Sequence, residues 1–264
     1  LEIRKQLESK GYTFRSGTDT EVVLASYQEW GENCVNIFIG MWAFAIYDIK
    51  KRSLFISRDR FGIKPLYYYH NHGVFAFASE IKSLLEVNCI DSKLNINSAF
   101  QYMVYGSISD ISDTYYEEIH ELEPGTNLFY SVEENFVRFK KYYNLSEVLL
   151  ETHIGTDERV LINKYKTHFS ESIDLHMRSD VPVGACLSGG LDSSGIVAYA
   201  SKLLNGALFN TFTTKFNEPE IDESHFVELI AKENELIRPF YTTPTIEGFM
   251  KVLDKIIWHQ DVPF

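Results

Sequence analysis

The sequence predicts two domains of different class: an α+β domain over residues 1–150, followed by an α/β domain with a parallel sheet over residues 155–264. Three observations support this prediction. Apolar residues in the first half alternate with period two, as strands require. The second half instead alternates helix-like and strand-like segments, which is typical of a parallel sheet. The period changes in the polar segment 152–157, where we place the domain boundary.

The first domain is predicted to contain one sheet flanked by helices. Four successive strands are expected at 41–48, 54–57, 66–69 and 74–77. The short turn signals between them favour antiparallel hairpins. A helix is expected over 19–30, capped by Thr18 or Asp19 and ended by Gly31, and a shorter one over 79–85.

The second domain is predicted to begin with a long amphipathic helix that starts near Asp157 and ends before Pro182. A buried strand at 181–187, a helix at 193–204 and a strand at 207–213 then form a βαβ unit. A helix after Asp222, a strand near 240–241 and a helix over 245–258 continue the alternation.

Composition excludes several classes of protein. The net charge is −12, with 25 Lys+Arg against 37 Asp+Glu, so we expect no nucleic-acid partner. No apolar run reaches the roughly 18 residues of a membrane-spanning helix, and the first residues lack the apolar centre of a signal peptide. Three cysteines without a CxxC pair argue against disulfides and zinc. We therefore expect a cytoplasmic protein, and the two chain ends suggest an internal fragment.

The motif richest in chemistry is Ser188-Gly189-Gly190-Leu191-Asp192-Ser193-Ser194, placed between the predicted buried strand and a helix. Backbone N–H groups at such a helix start, with the helix dipole and three hydroxyls, attract phosphate. A carboxylate beside phosphates is repulsive unless a cation bridges them, so Asp192 is the candidate Mg²⁺ ligand. A plain strand-to-helix turn is the alternative for a lone Gly-Gly pair.

The motif lacks the lysine of the GxxxxGK[ST] loop, which argues against simple γ-phosphate hydrolysis and favours cleavage between the α and β phosphates of ATP. It resembles the signature of the PP-loop ATP pyrophosphatases. The longer stretch 177–194 resembles glutamine-dependent asparagine synthetase, and Arg58-Asp59-Arg60-Phe61-Gly62-Ile63-Lys64-Pro65-Leu66-Tyr67-Tyr68 resembles the glutaminase half of that family.

The resemblance implies a fold and a reaction. It implies an N-terminal-nucleophile hydrolase-type glutaminase domain, truncated at its N-terminus, and a PP-loop ATP-pyrophosphatase domain, truncated at its C-terminus. In such proteins ammonia from glutamine displaces AMP from β-aspartyl-AMP, which forms from aspartate and ATP with release of pyrophosphate. The family's nucleophile is an N-terminal cysteine, which this chain does not carry, so the fragment alone is expected to be inactive.

Residue by residue, Asp19 matches the family's acidic ligand for the α-amino group of glutamine. Leu187 and Thr214 match positions that contact the adenine nucleotide, although the Thr214 position is usually apolar in the family. ATP and Mg²⁺ are the implied cofactors, glutamine and aspartate the implied substrates, and a homodimer is allowed. The alternatives are a related amidotransferase, a β-lactam synthetase-like ligase acting on another carboxylate, and a non-catalytic member.

Overall fold

The structure is a computed structural model that describes residues 1–107, 112–150, 157–204 and 206–262. Contacts divide the chain into two compact units, one comprising Leu1–Thr152 with Ile257–Phe264 and the other His153–Ile256. The domain boundary was predicted at residues 152–157. Residues 152–156 lie outside the described residues, so this boundary stays a prediction. Within the described ranges no helix is both long and apolar enough to cross a bilayer.

The first unit contains seven described strands, all paired antiparallel. They form one sheet of order β1-β2-β6-β7 and a second of order β4-β3-β5. Their bounds are β1 Ala43–Asp48, β2 Ser53–Arg58, β3 Tyr67–Asn71, β4 Val74–Ala78, β5 Ile119–Glu121, β6 Thr126–Ser131 and β7 Phe136–Lys141. The predicted hairpins β1–β2 and β3–β4 form, but the prediction that all four strands share one sheet is wrong.

The turn after β2 explains why the chain leaves the first sheet. Asp59 is 1% exposed. Its carboxylate accepts hydrogen bonds from the backbone N–H groups of Trp42, Phe61, Ile63 and Lys64, at 3.3, 3.1, 3.0 and 3.0 Å. These bonds hold a compact turn, and β3 then pairs with β4 and β5 instead of β2.

The adjacent opposite charges of Arg58 and Asp59 predict an internal ion pair at a β-turn, and this pairing is wrong. The guanidinium instead lies 2.6 Å from the Glu121 carboxylate and donates to the carbonyls of Lys64 and Leu122. The Arg58 guanidinium therefore contacts β5 and also the Lys64 and Gly62 carbonyls of the turn. The Asp59 carboxylate instead accepts the four backbone N–H groups.

The first unit also carries five α-helices and one 3-10 helix among its described residues. The helix α2 has the predicted bounds, whereas α1, α4 and α5 were not predicted. Six of the eight residues of α1 are polar, which leaves little apolar periodicity to detect. The bounds are α1 Glu2–Ser9, α2 Asp19–Trp30, the 3-10 helix Gly31–Ile37, α3 Ile81–Leu85, α4 Ile96–Tyr105 and α5 Leu145–Leu150.

From residue 158 onward helices and strands alternate around a parallel sheet of order β10-β9-β8. The buried core of the second unit comprises Ile173, Leu187, Val197, Ala200, Phe209, Val227 and Ile237. The bounds are α6 Glu158–His176, β8 Ala185–Cys186, α7 Leu191–Leu203, β9 Phe209–Thr214, α8 Ser224–Glu233, β10 Ile237–Thr242 and α9 Ile246–Gln260.

The strand β8 is much shorter than the buried strand predicted at 181–187. Val181 is 69% exposed, and Pro182 has no N–H group to donate to a neighbouring strand. Only Ala185 and Cys186 pair with β9. The position of Cys186 in a predicted buried strand indicates an ordinary free or core thiol; the structure shows it free and exposed, so it is not a core residue.

Candidate functional site

The loop between β8 and α7 lies at the edge of the parallel sheet. Leu187 is 1% exposed, and its N–H donates to the carbonyl of Phe212 at 2.9 Å. The helix α7 begins at Leu191 with Gly190 as its N-cap, and no side chain caps it. The first N–H groups of a helix have no partner within the helix, so this helix start presents donors and the positive end of a dipole.

The two glycines of the loop, Gly189 and Gly190, differ in whether the fold requires a residue without a side chain. Gly189 has φ +88°, and a Cβ added there would lie 2.6 Å from the Cβ of Phe226 on α8. The fold therefore requires glycine at 189. Gly190 has φ −67° and ψ 162°, and a Cβ there would meet only the Ser188 Oγ, at 3.4 Å. The fold does not require glycine at 190.

The three serines hold the loop in shape. Ser188 Oγ accepts from the N–H of Gly190 at 3.3 Å and lies 3.0 Å from Ser193 Oγ. The hydroxyls of Ser193 and Ser194 donate to the Gly190 carbonyl at 3.2 and 2.6 Å. All three hydroxyls therefore converge beside the helix start, where they form a small polar cluster.

Asp192 lies in the first turn of α7 and is exposed. The described residues contain no group of three His, Cys, Asp or Glu side chains that could enclose a metal ion. Mg²⁺ in nucleotide sites commonly takes one or two carboxylates, with phosphate and water oxygens as its other ligands. A single exposed carboxylate beside a helix start that no side chain caps fits that donor set.

The two predicted nucleotide contacts, Leu187 and Thr214, follow β8 and end β9. The carboxyl ends of parallel strands meet at one sheet edge, which is where open α/β sheets bind ligands. The Leu187 side chain belongs to the core, its N–H donates to Phe212 and its carbonyl accepts from Thr213. Only the second lone pair of that carbonyl is left for a ligand. Thr214 is exposed and pairs in register with Thr242 of β10.

Asp19, the predicted glutamine ligand, is the first residue of α2 and is exposed. The N-cap is Thr18, whose side chain makes no capping hydrogen bond, so neither predicted cap acts through its side chain. Glu21 orders the preceding loop instead, accepting from the N–H groups of Arg15 and Ser16 at 2.9 Å each. These bonds lower the pKa of Glu21 to about 2.

The three cysteines lie in different environments. Cys34 is buried in the 3-10 helix, and burial raises the pKa of its thiol to about 12. Cys89 and Cys186 are exposed. A thiol with so high a pKa is protonated at neutral pH, so Cys34 is not an activated nucleophile.

Comparison with known proteins decides the family. A glutamine amidotransferase domain model matches residues 1–143, and an asparagine synthase model matches residues 164–264. The chain belongs to the family that joins these two domains. We call it the asparagine synthetase family.

Three relatives illustrate this family match. A putative glutamine-hydrolysing asparagine synthetase 2 of Methanocaldococcus jannaschii is 35% identical over 100% of this chain and 50% of its own length. The glutamine-hydrolysing asparagine synthetase 1 of Bacillus subtilis is 35% identical over 100% of this chain and 40% of its own. Amidase chyE of Penicillium rubens is 26% identical over 98% of this chain and 39% of its own length. The chain thus spans half or less of these relatives.

In this asparagine synthetase family member, two residues that support predicted site residues were not assigned that role from the sequence. Glu21 supports the loop before Asp19, and its signal was an acidic residue at the third helical position. Thr213 donates from its hydroxyl to the Leu187 carbonyl at 2.7 Å. No sequence signal reveals that bond, because its partners are 26 residues apart.

Proposed function

We propose that this chain forms the glutamine-handling and ATP-binding parts of an enzyme that makes asparagine from aspartate, ATP and glutamine. One observation carries the proposal. The open N-terminus of α7, with the hydroxyls of Ser188, Ser193 and Ser194 beside it, lies within the segment that matches the asparagine synthase model. Anions bind at such helix starts.

The proposed ATP position follows from the loop. The phosphates would lie against the N–H groups that follow Gly190, with Asp192 holding Mg²⁺ and the adenine near Leu187 and Thr214. The ion would offset the negative charge of the phosphates and of the pyrophosphate that leaves. The aspartate side-chain carboxylate then attacks the α-phosphorus, pyrophosphate departs, and β-aspartyl-AMP forms.

The second half of the proposed reaction consumes ammonia. Its nitrogen attacks the acyl carbon of β-aspartyl-AMP, AMP leaves with the bonding electron pair, and a proton is lost to give asparagine. The glutaminase part, residues 1–150 in our division, would release this ammonia through an N-terminal cysteine nucleophile. The Asp19 carboxylate, exposed at the start of α2, is suited to bind the α-ammonium group of glutamine.

The test measures pyrophosphate release by the complete protein with ATP, Mg²⁺ and glutamine, with and without aspartate. We expect release that depends on aspartate and is lost in Asp192→Ala. Asp174→Ala is the matched control, because this exposed carboxylate on α6 pairs only loosely, 3.7 Å from Arg178. Pyrophosphate release that does not depend on aspartate would refute aspartate as the acceptor. Release that persists in Asp192→Ala would refute the assignment of Asp192 as the Mg²⁺ ligand.

A further inference from the structure

The strand β9 carries two threonines on one face, two residues apart, and both are buried. Thr211 is 0% and Thr213 is 7% exposed. The hydroxyl of Thr213 donates to the carbonyl of Leu187 at 2.7 Å. The hydroxyl of Thr211 has no hydrogen-bond partner in the described part of the chain. Two neighbouring buried hydroxyls of the same type therefore differ in whether they donate a hydrogen bond within the described residues.

The Thr213 bond lies where the loop leaves the sheet. The paired part of β8 ends at Cys186, and the N–H of Leu187 still donates to Phe212. The next backbone group is the Leu187 carbonyl, which belongs to the peptide that joins Leu187 to Ser188. The Thr213 hydroxyl holds this peptide, so β9 binds Leu187 through both its N–H and its C=O.

The orientation of that peptide sets the direction in which the loop continues. Gly189, the second loop residue, passes so close to α8 that an added Cβ would lie 2.6 Å from the Phe226 Cβ and 3.2 Å from the Glu223 carbonyl oxygen. Two elements therefore fix the loop: β9 through the Thr213 hydrogen bond, and α8 through close packing at Gly189. A rotated peptide at Leu187 would move the Ser188 hydroxyl and the N–H groups that follow.

We propose that Thr213 is a positioning residue for the phosphate-binding loop, acting on the ligand through the Leu187 carbonyl. The inference rests on the proposed ATP-binding function of the loop. A purely structural hydroxyl would satisfy a buried carbonyl and affect stability alone. A positioning hydroxyl also changes the affinity for ATP, because the donors to the phosphates depend on the loop geometry.

The test replaces each threonine by its isostere in the complete protein. Thr213→Val removes the donor and keeps the shape, and Thr213→Ser restores the hydroxyl. Thr211→Val removes a hydroxyl that has no partner among the residues the structure describes. The KM for ATP in aspartate-dependent pyrophosphate release and the Kd for ATP with Mg²⁺ are measured at a temperature at which every variant is folded. Thr213→Ala is a second variant that lacks the hydroxyl.

We expect Thr213→Val and Thr213→Ala to raise the KM and Kd for ATP about three- to tenfold, the range that one hydrogen bond supports. Thr213→Ser and Thr211→Val should stay within about twofold of wild type, with the glutamine KM unchanged throughout. ATP constants that stay at the wild-type value in Thr213→Val and Thr213→Ala, or an equal rise in Thr211→Val, would overturn the inference.

A separate variant shows whether the proposed function itself has failed. Asp192→Ala, in the same assays, reports on the loop without involving β9. If neither Asp192→Ala nor Thr213→Val changes the constants for ATP, the loop does not bind ATP and the proposed function falls. If only Asp192→Ala weakens ATP binding, the function stands and Thr213 has no positioning role.

Discussion

Substitutions at the adjacent glycines Gly189 and Gly190 should affect different properties: stability at Gly189 and ATP binding at Gly190. Gly189→Ala places a side chain at φ +88°, a conformation that costs an alanine about 1–2 kcal/mol. The new methyl would also lie 2.6 Å from the Phe226 Cβ, and relieving such overpacking costs about 1–3 kcal/mol. Together these effects predict that the free energy of unfolding falls by about 2–5 kcal/mol.

Gly190→Ala is the matched comparison. Its φ of −67° suits any residue, and the added methyl meets only the Ser188 Oγ at 3.4 Å. The change from glycine to alanine at an N-cap lowers stability by about 1 kcal/mol or less. The methyl nevertheless projects at the helix start where we place the phosphates. We therefore expect ATP affinity to fall at least about tenfold, or about 1.4 kcal/mol, while stability is nearly kept.

The assays are urea denaturation followed by circular dichroism, and calorimetric titration with ATP and Mg²⁺. Equal stability losses in the two variants would refute the assignment of Gly189 to the fold. Wild-type ATP affinity in Gly190→Ala, with the protein folded, would refute the claim that phosphate approaches the backbone at this residue.

Two further predictions concern the first unit and the thiols. Asp59→Asn should lower the free energy of unfolding by about 2–4 kcal/mol in urea denaturation, because an NH₂ group replaces an oxygen that accepts two of the four N–H donors. Asp48→Asn should cost much less, because one oxygen accepts both of its backbone bonds and can remain, so equal losses would contradict the argument. With a chromogenic disulfide reagent at pH 8, Cys89 and Cys186 should react in the native protein and Cys34 only after unfolding. Burial raises the Cys34 pKa to about 12, and fast labelling of Cys34 in the native protein, located by peptide mapping, would contradict this.

Elements with local signals were predictable from the sequence. The helix α2 follows from its Thr18-Asp19 start and from Gly31, and the hairpins β1–β2 and β3–β4 follow from alternation and short turns. The loop at 188–194 lies at the helix start where its glycines and serines predicted it. Each signal is contained in a few consecutive residues, so no knowledge of the tertiary fold was needed.

Elements that depend on distant partners were not predictable. The split into two sheets rests on the Asp59 turn, where one of the four donors is the N–H of Trp42, 17 residues earlier. The ion pair of Arg58 forms with Glu121 because β3 brings β5 alongside, and the adjacent Asp59 gave a misleading local alternative. The short extent of β8 follows from which residues β9 can reach, and apolar composition at 181–187 does not report it.

The same distinction applies inside the candidate site. The groups proposed to touch phosphate are local, since Ser188, Gly190 and Asp192 lie within five consecutive residues. The groups that hold them are distant: Thr213 bonds the Leu187 carbonyl from β9, and Phe226 on α8 limits the space at Gly189. A motif therefore identifies the chemistry, whereas the geometry on which affinity depends is set by residues outside the motif. Substitutions at Thr213 and Phe226 should thus alter ATP binding although neither side chain is proposed to touch the nucleotide.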